Sequence, residues 1–326
     1  MRPILLGIIS TLFFAFTFVL NRSMELAGGS WIWSASLRYV FMIPFLLVIV
    51  MYRGNLKALL KEMKDQPLQW LIWSIVGFGF FYAPLTFAAG YGPGWLVAAT
   101  WQVTIISGSL LVPFFYETIQ TPSGHMKVRG KIPAKGLAMS LIILLGIAVM
   151  QMEHMNQLSL QNVLLCIIPC LVASFAYPLG NRKMMGVTGG RLDAYQRVLG
   201  MTLASLPLWF MLMGWELATS GGPTMGQTVQ SLIVAVTSGV IATVLFFQAT
   251  DLVKDDMKKL AAVEATQSME VLFALLGEII LLSAPLPAPV SLLGMFLVVI
   301  GMVLHSFVSN TKKVRRKHVA DDAQAG

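Results

Sequence analysis

The segment LLCIIPCLVASF, at residues 164–175, repeats a pattern that first occurs at residues 5–16 as LLGIISTLFFAF. The two copies share six residues at equal spacing: Leu5/Leu164, Leu6/Leu165, Ile8/Ile167, Ile9/Ile168, Leu12/Leu171 and Phe16/Phe175. After one inserted residue, Asn21-Arg22 corresponds to Asn181-Arg182, and the same order continues through the pairs Arg38/Arg197, Gln69/Gln230 and Thr100/Thr266. We infer that the chain consists of two related halves.

The composition is that of a membrane protein. Of 326 residues, 56% are hydrophobic and only 12% are charged, and the mean hydropathy is +0.75. These values exclude an ordinary soluble domain. A membrane-spanning helix needs roughly 20 apolar residues, and short polar breaks separate ten such runs. We predict spans at residues 3–21, 31–52, 68–90, 94–116, 133–151, 158–180, 191–214, 227–250, 257–283 and 288–308.

The repeat and the span count together predict the fold class, an all-α membrane protein with ten transmembrane helices in a five-plus-five inverted repeat. Residues 1–152 are expected to form the first repeat, residues 153–310 the second, and residues 311–326 a basic tail. Because five is odd, the second half enters the membrane with the opposite polarity. Secondary transporters use this architecture to alternate access around a site near the membrane midplane.

Basic residues in the loops predict the orientation, because they collect on the cytoplasmic side. They occur in the even-numbered loops, for example at Lys61, Arg129 and Lys258, and in the tail segment KKVRRK at 312–317. The odd-numbered loops hold only Arg22. We therefore predict a multi-pass protein of the cytoplasmic membrane with both termini in the cytoplasm. The net charge of +8 follows from this topology, so the lipid bilayer is an expected partner and nucleic acid is not.

Five ionisable side chains lie inside the predicted spans, where a charge is costly and marks a functional candidate. They are Arg38, Arg197, Glu264, Glu270 and Glu278. By helix rise, Arg197 and Glu264 lie at a similar depth, as do Arg38 and Glu278. We predict the first ion pair, and the second is allowed by depth. Structural or gating roles are assigned to Arg38, Arg197 and Glu278, and Glu264 remains a second candidate for coupling.

Glu270 lies about midway along its span and has no basic residue at its own depth. Desolvation penalises the charged form of a carboxylate, which suits a group that loads and releases a proton or binds an organic cation. In the aligned fourth and ninth spans, Glu270 corresponds to Thr104 and Gln267 to Trp101. We predict that Glu270, Glu264, Gln267, Trp101, Gln102 and Thr104 form a coupling or substrate-binding site. A buried structural role for Glu270 and simple packing for Trp101 are the alternatives.

No cofactor or metal is expected. Cys166 and Cys170, the only cysteines, lie one turn apart and cannot complete a four-ligand metal site. The sequence has no nucleophile–base set and no phosphate-binding loop, which argues against an enzyme. Gly294 and Gly301 share a face of the last helix, and Gly146 corresponds to Gly301. These glycines predict close helix packing, within the bundle or between protomers, so the chain is expected to be a monomer or a homodimer.

The two ends of the chain carry a family resemblance. With the opening LNRSMEL…LRYVFMIPFLL (residues 20–47), the ending LFALLGEIILL…SLLGMFLVVIGMVL (residues 272–304) and the repeat, the chain resembles the drug/metabolite transporter superfamily, in particular its ten-helix multidrug resistance efflux branch. The resemblance implies a cavity lined by the first, third, fourth, sixth, eighth and ninth helices, and a rocking cycle coupled to protons or exchange.

Two departures limit the resemblance. The small four-helix multidrug transporters carry a glutamate in their first helix, whereas the first span here contains no acid. Many ten-span members end the fourth and ninth helices with glutamate, whereas here only Glu117 fits and Ser283 stands at the equivalent position.

These observations predict a secondary active transporter for a small-molecule substrate. The expected activity is proton-coupled efflux of lipophilic or cationic molecules of the multidrug type. A metabolite carrier for amino acids, sugars or vitamins is the alternative, and a non-transporting membrane scaffold is a second one. The acid at Glu270 argues against the scaffold, because a charge without a function would not be kept near the midplane.

The predicted topology can be tested at Lys61. We expect a cysteine in place of Lys61 to resist a membrane-impermeant thiol reagent in intact cells and to react after the membrane is opened, because the second loop carries the basic residues typical of the cytoplasmic side. Labelling of this cysteine in intact cells would overturn the orientation.

Overall fold

The fold is described by a computed structural model, for residues 1–92, 94–121, 124–132, 134–151, 160–283 and 288–310. The chain is mostly helical. Residues 1–110 contain the helices α1 (Arg2–Leu26), α2 (Trp31–Tyr52), α3 (Leu56–Asp65), α4 (Pro67–Ser74), α5 (Phe80–Tyr91), α6 (Gly94–Trp101) and α7 (Val103–Leu110). Residues 134–310 contain the helices α8 (Ala134–Gln151), α9 (Leu160–Thr188), α10 (Ala194–Thr219), α11 (Met225–Val234), α12 (Thr243–Asp251), α13 (Met257–Ala265), α14 (Met269–Leu282) and α15 (Pro289–Asn310).

Seven helical stretches in the described part of the chain are long and apolar enough to cross a membrane. They are Arg2–Leu26, Trp31–Tyr52, Pro67–Tyr91, Leu164–Thr188, Ala194–Thr219, Met225–Asp251 and Lys258–Leu281. The predicted fourth, fifth and tenth spans coincide with the shorter apolar stretches Val97–Leu110, Ala134–Met150 and Leu292–His305. An all-α membrane protein is therefore confirmed in outline, whereas the count of ten and the inverted repeat stay predictions. The predicted boundary at 152–153 and the tail at 311–326 lie outside the described residues.

Polar residues at the helix starts explain several of the bounds. Ser30 accepts a hydrogen bond from the backbone N–H of Ile32 at the start of α2. Asp193 and Gln196 form a reciprocal capping box at the start of α10. Each cap satisfies backbone donors that have no partner within the helix.

The fourth loop contains a β-hairpin that the sequence did not predict. Strands β1 (Tyr116–Thr121) and β2 (Gly124–Arg129) pair antiparallel, with Tyr116 opposite Arg129. The fourth span was predicted to reach residue 116, but α7 ends at Leu110 and a short 3₁₀ turn containing Pro113 follows. Proline lacks the N–H that a continuing helix needs, so the chain leaves the helix early.

The third, fourth, eighth and ninth spans are interrupted. Ile75–Gly79 and Ala235–Ala242 are π-helical, and Thr266–Ser268 is a 3₁₀ segment. A turn at Gln102 separates α6 from α7. Such irregular turns leave the regular hydrogen-bond ladder and occur often at functional sites.

The α8 and α15 helices pack with their backbones in close contact. A Cβ atom on Gly146 would lie 2.6 Å from the carbonyl oxygen of Gly294 and 2.8 Å from the amide nitrogen of Val298. A Cβ on Gly301 would lie 2.7 Å from a side-chain atom of Ile143. The glycine faces predicted from the sequence are therefore used within the bundle, where small residues let helices approach.

We expect Gly146→Ala to destabilise the protein by about 1–3 kcal/mol, the usual cost of forcing atoms into a packed interface. The matched control is Gly214→Ala, because a Cβ at this helical position meets no atom within 4 Å. Thermal unfolding of the purified proteins in detergent measures both. Equal melting temperatures for Gly146→Ala and the control would contradict the close contact.

Candidate functional site

A small cavity lies between the interrupted helices. It has about 10 Å³ of space for the centre of a water molecule, which is room for about one water. Its walls come from the first, third, fourth, sixth, eighth and ninth predicted spans, as the resemblance implied. The lining residues are Phe14, Thr17, Phe18, Phe81, Leu85, Trp101, Tyr177, Ser238, Gln267 and Glu270.

Glu270 provides the carboxylate of this cavity. It lies in the first turn of α14, directly after the 3₁₀ segment Thr266–Ser268, and only 1% of its surface is exposed. The indole of Trp101 stands within hydrogen-bonding reach of the carboxylate, but Oε2 has no hydrogen-bond partner among the described residues. No salt bridge to Glu270 occurs in the described part of the chain. Its environment is therefore aromatic rather than basic.

Aromatic rings surround this carboxylate. The ring centroids of Phe81 and Tyr177 are 4.5 Å apart, those of Phe81 and Trp101 are 5.0 Å apart, and Trp101 and Tyr177 are in an edge contact at 5.8 Å. The Tyr177 hydroxyl is buried without a hydrogen-bond partner among the described residues. Aromatic faces attract cations and pack against apolar groups, so these walls suit a ligand with a positive charge on an apolar body.

Arg38, on α2, does not line the cavity itself but contacts one of its lining residues, Ser238. Its Nη2 donates to Ser238 Oγ at 3.2 Å, and its guanidinium lies 4.0 Å from the ring centroid of Tyr82 and 5.0 Å from that of Tyr39. Nε and Nη1 have no hydrogen-bond partner among the residues that the structure describes. The pair with Glu278 that depth allowed is wrong: none of the salt bridges among the described residues joins Arg38 to Glu278, because the guanidinium lies against the aromatic rings and Ser238.

The predicted pair of Arg197 with Glu264 is also wrong. Glu264 is paired with Arg182, whose Nε and Nη2 donate to the two carboxylate oxygens at 3.1 and 2.6 Å. Arg182 Nη1 donates to the carbonyl oxygen of Gly108 at 2.6 Å. Arg197 instead pairs with Asp251 and donates to Asn181 Oδ1 at 3.4 Å.

The sixth span is the reason for this error. It was predicted to end at residue 180, which put Arg182 in a cytoplasmic loop, but α9 continues to Thr188 and the Arg182 side chain is only 2% exposed. Gly108 makes the pair possible, because a Cβ at this position would collide with Glu264 Oε2. The repeated Asn-Arg pair was the available signal, since the predicted repeat matches Arg182 with Arg22.

The remaining predicted residues divide into two groups. Trp101 and Gln267 line the cavity with Glu270. Gln102 is buried and donates to the carbonyl of Ala98, and Thr104 donates to the carbonyl of Ser174 at 3.1 Å, so both contact the backbone rather than the cavity. Glu278 lies near Gly94, where a Cβ would come within 2.7 Å of its Oε1.

The sequence prediction missed several cavity residues, namely Phe14, Thr17, Phe18, Phe81, Leu85, Tyr177 and Ser238. Aromatic and small hydroxyl residues are common in membrane helices, so their types alone gave no signal. In the described residues, no group of three or more His, Cys, Asp and Glu side chains is arranged to hold a metal ion.

A larger cleft opens on the side predicted to be cytoplasmic. It measures about 730 Å³, and its lining includes Trp73, Phe115, Arg182, Lys183 and Lys254. Arg182 reaches the cleft, while Gln267, one turn after Glu264, reaches the small cavity. The pair therefore joins a residue that lines the cleft to the turn of the ninth span that precedes a cavity residue.

Comparison with protein families identifies the chain. A family model described as "EmrE: Putative multidrug resistance efflux transporter" matches residues 1–311. The chain belongs to this family. The resemblance predicted from the sequence is confirmed, and a multi-pass membrane transporter with a small-molecule substrate follows from membership of the EmrE family.

Relatives of this EmrE-family chain share most of its length. It is 56% identical over 317 residues to "Uncharacterized protein YjlA" of Bacillus subtilis (strain 168), which covers 97% of this chain and 98% of that protein. It is 49% identical over 270 residues to an "Uncharacterized 42.1 kDa protein in intracellular alkaline protease 3'region" of Shouchella clausii, covering 83% of this chain and 70% of the relative. A solved crystal structure matches with a TM-score of 0.69 over 94% of this chain and 97% of its own, at 14% identity, which shows a shared fold.

The buried ion pair gives a double-mutant test. We expect Arg182→Ala to lose about 3–5 kcal/mol, because it leaves a buried carboxylate without its partner. Arg182→Ala with Glu264→Ala should regain part of the folded yield, measured by size-exclusion chromatography in detergent. The control double variant, Arg197→Ala with Glu264→Ala, should show no rescue. Rescue in the control and not in the first double variant would contradict the pairing.

Proposed function

We propose that the chain is a secondary active transporter of the cytoplasmic membrane that exports lipophilic or cationic small molecules in exchange for protons. Glu270 is the residue that binds the coupling proton or the positive charge of the substrate. The observation that carries this proposal is a buried carboxylate in an aromatic cavity without a basic partner. Proton and substrate compete for one carboxylate, so that each turnover exchanges one for the other.

The competition rests on desolvation. A carboxylate in this cavity is stabilised either by taking up a proton or by a cation that replaces the lost hydration. Trp101 supplies a neutral donor and Tyr177 an aromatic face, so neither supplies a permanent positive charge. By contrast, Glu264 is held by Arg182, which makes Glu264 a poorer candidate for coupling.

The interrupted helices support an inverted repeat with alternating access. In the alignment that matches Gln69 with Gln230, the π segments Ile75–Gly79 and Ala235–Ala242 overlap. In the alignment that matches Thr100 with Thr266, the turn at Gln102 falls on Ser268. Irregular backbone within a span is tolerated where it faces a protein cavity, and transporters place it around their binding sites.

The Arg182–Glu264 pair is proposed as the cytoplasmic barrier of this cycle. It joins α9 to α13 and, through the carbonyl of Gly108, to α7. In this proposal the pair stands between the cytoplasmic cleft and the cavity, and a substrate that enters from the cytoplasm passes only when these helices move apart. A metabolite carrier remains the second candidate, and Arg38 is the observation that favours it, because a fixed positive charge near the cavity suits a substrate with an anionic group.

The coupling role of Glu270 can be tested in proteoliposomes with an imposed pH gradient. A panel of cationic dyes, amines and amino acids is screened, and the compound that the wild type transports best is then used for the variants. We expect Glu270→Gln to fold normally and to lose gradient-driven transport, because it keeps the shape and removes the titratable charge. Glu270→Asp should retain part of the activity at a shifted pH optimum.

The matched control is Glu62→Gln. Glu62 lies outside the spans on α3, and its hydrogen bonds from Arg191 lower the pKa of its carboxyl, so it carries no proton under transport conditions. It should behave as wild type. If Glu270→Gln transports at the wild-type rate with unchanged pH dependence, Glu270 is a structural residue and the proposed coupling is overturned.

A further inference from the structure

We propose that the substrate is a small zwitterion, whose ammonium group binds at Glu270 and whose anionic group binds at Arg38. This inference rests on the proposed proton-coupled transport at Glu270, but for the substrate it follows the second candidate, the metabolite carrier, in place of simple cations. It also gives Arg38 a role in specificity that the sequence interpretation, which assigned it a structural or gating charge, did not contain.

The charge balance of the buried residues is the first step. Arg182 is neutralised by Glu264, and Arg197 by Asp251. Arg38 and Glu270 each have only 1% of their surface exposed, and in the described part of the chain neither forms a salt bridge. A buried charge without a counter-ion is costly. A site with one such charge of each sign is complementary to a ligand that carries both.

The unused hydrogen-bonding atoms of the two residues are the second step. Arg38 Nε and Nη1 and Glu270 Oε2 are buried without a hydrogen-bond partner among the described residues. The guanidinium donates to the neutral hydroxyl of Ser238 and lies against the neutral rings of Tyr39 and Tyr82. A carboxylate would satisfy two guanidinium donors at once in the fork geometry that arginine favours.

The arrangement around the cavity is the third step. Ser238, which binds Arg38, and Glu270 line the same cavity. Because Arg38 Nη2 lies 3.2 Å from Ser238 Oγ, a compact ligand that extends from Glu270 to Ser238 would come close to both charges. The apolar side chains of Phe14, Phe18 and Leu85 form the remaining wall and suit an aliphatic or aromatic body.

Ligands with a single charge fit less well. A simple cation would neutralise Glu270 and be repelled by Arg38. A simple anion would neutralise Arg38 and be repelled by Glu270. The cavity has room for about one water molecule, so binding requires its walls to separate. Those walls carry the π segment Ala235–Ala242 and the 3₁₀ segment Thr266–Ser268, which are less constrained than regular helix.

The test compares three compounds that share one apolar body. Leucine carries both charges, 3-methylbutylamine lacks the carboxylate, and 4-methylpentanoate lacks the amine. Uptake of each into wild-type proteoliposomes is measured under the same imposed pH gradient. We expect transport of leucine in preference to both analogues, and competition with labelled leucine by unlabelled leucine but not by either analogue.

The variants then assign the anionic subsite to Arg38. Arg38→Gln should lose the preference for leucine over 3-methylbutylamine, and Arg38→Lys should retain part of it, because the positive charge is kept without the fork. The control is Arg53→Gln. Arg53 lies at the end of the same helix and pairs with Asp193 at the surface, so its loss should leave the preference unchanged.

Three results would overturn the zwitterion proposal. The first is a wild-type protein that transports the amine as well as leucine or better, and the second is a wild-type protein that transports none of the three compounds. The third is an Arg38→Gln variant with an unchanged leucine preference. The two wild-type measurements, transport of the three compounds and competition with labelled leucine, still decide the question if Arg38→Gln fails to fold. Retained gradient-driven transport in Glu270→Gln would instead overturn the proposed coupling, so the two failures are distinguishable.

Discussion

The buried Arg182–Glu264 ion pair holds several helices of this protein together, because a charge in a membrane interior needs an opposite charge in direct contact. Two guanidinium nitrogens meet both carboxylate oxygens, and the third donates to the carbonyl of Gly108. The absence of a Cβ on Gly108 lets the carboxylate come close. Three helices are thereby joined at one point, and they cannot separate there without exposing or re-pairing two charges. This property makes the pair suitable as a barrier that opens only at a defined step.

The same constraint makes the buried charges that have no counter-charge candidates for a binding site. Glu270 and Arg38 are as deeply buried as the ion pair, yet aromatic rings and hydroxyls surround them in place of opposite charges. Such an arrangement is unfavourable for the protein alone and becomes favourable when a ligand or proton supplies the missing partner. The chain belongs to a family of transporters, and in the proposed function a small molecule or a proton supplies this partner.

Backbone regularity varies between the periphery and the cavity. The α8 and α15 helices are in direct backbone contact through Gly146 and Gly294, and close contacts of this type leave little freedom to slide. Around the cavity, π and 3₁₀ turns interrupt the spans, at positions that overlap when the two halves are aligned. Regular packing outside and irregular turns inside concentrate conformational freedom where the ligand would bind.

The sequence by itself determined the membrane class and the approximate spans, and it made Glu270 the candidate for coupling. Hydropathy is a local property, so the second span, Trp31–Tyr52, agrees with its prediction at both ends, and the lack of a basic residue at the depth of Glu270 is visible by counting. Only the tertiary structure decided the partners of the charges. Depth along a helix ignores rotation about its axis and assumes where the helix ends, and α9 continues past residue 180 to bury Arg182. The cavity walls were also beyond the sequence, since aromatic residues such as Tyr177 reveal their neighbours only when several helices converge.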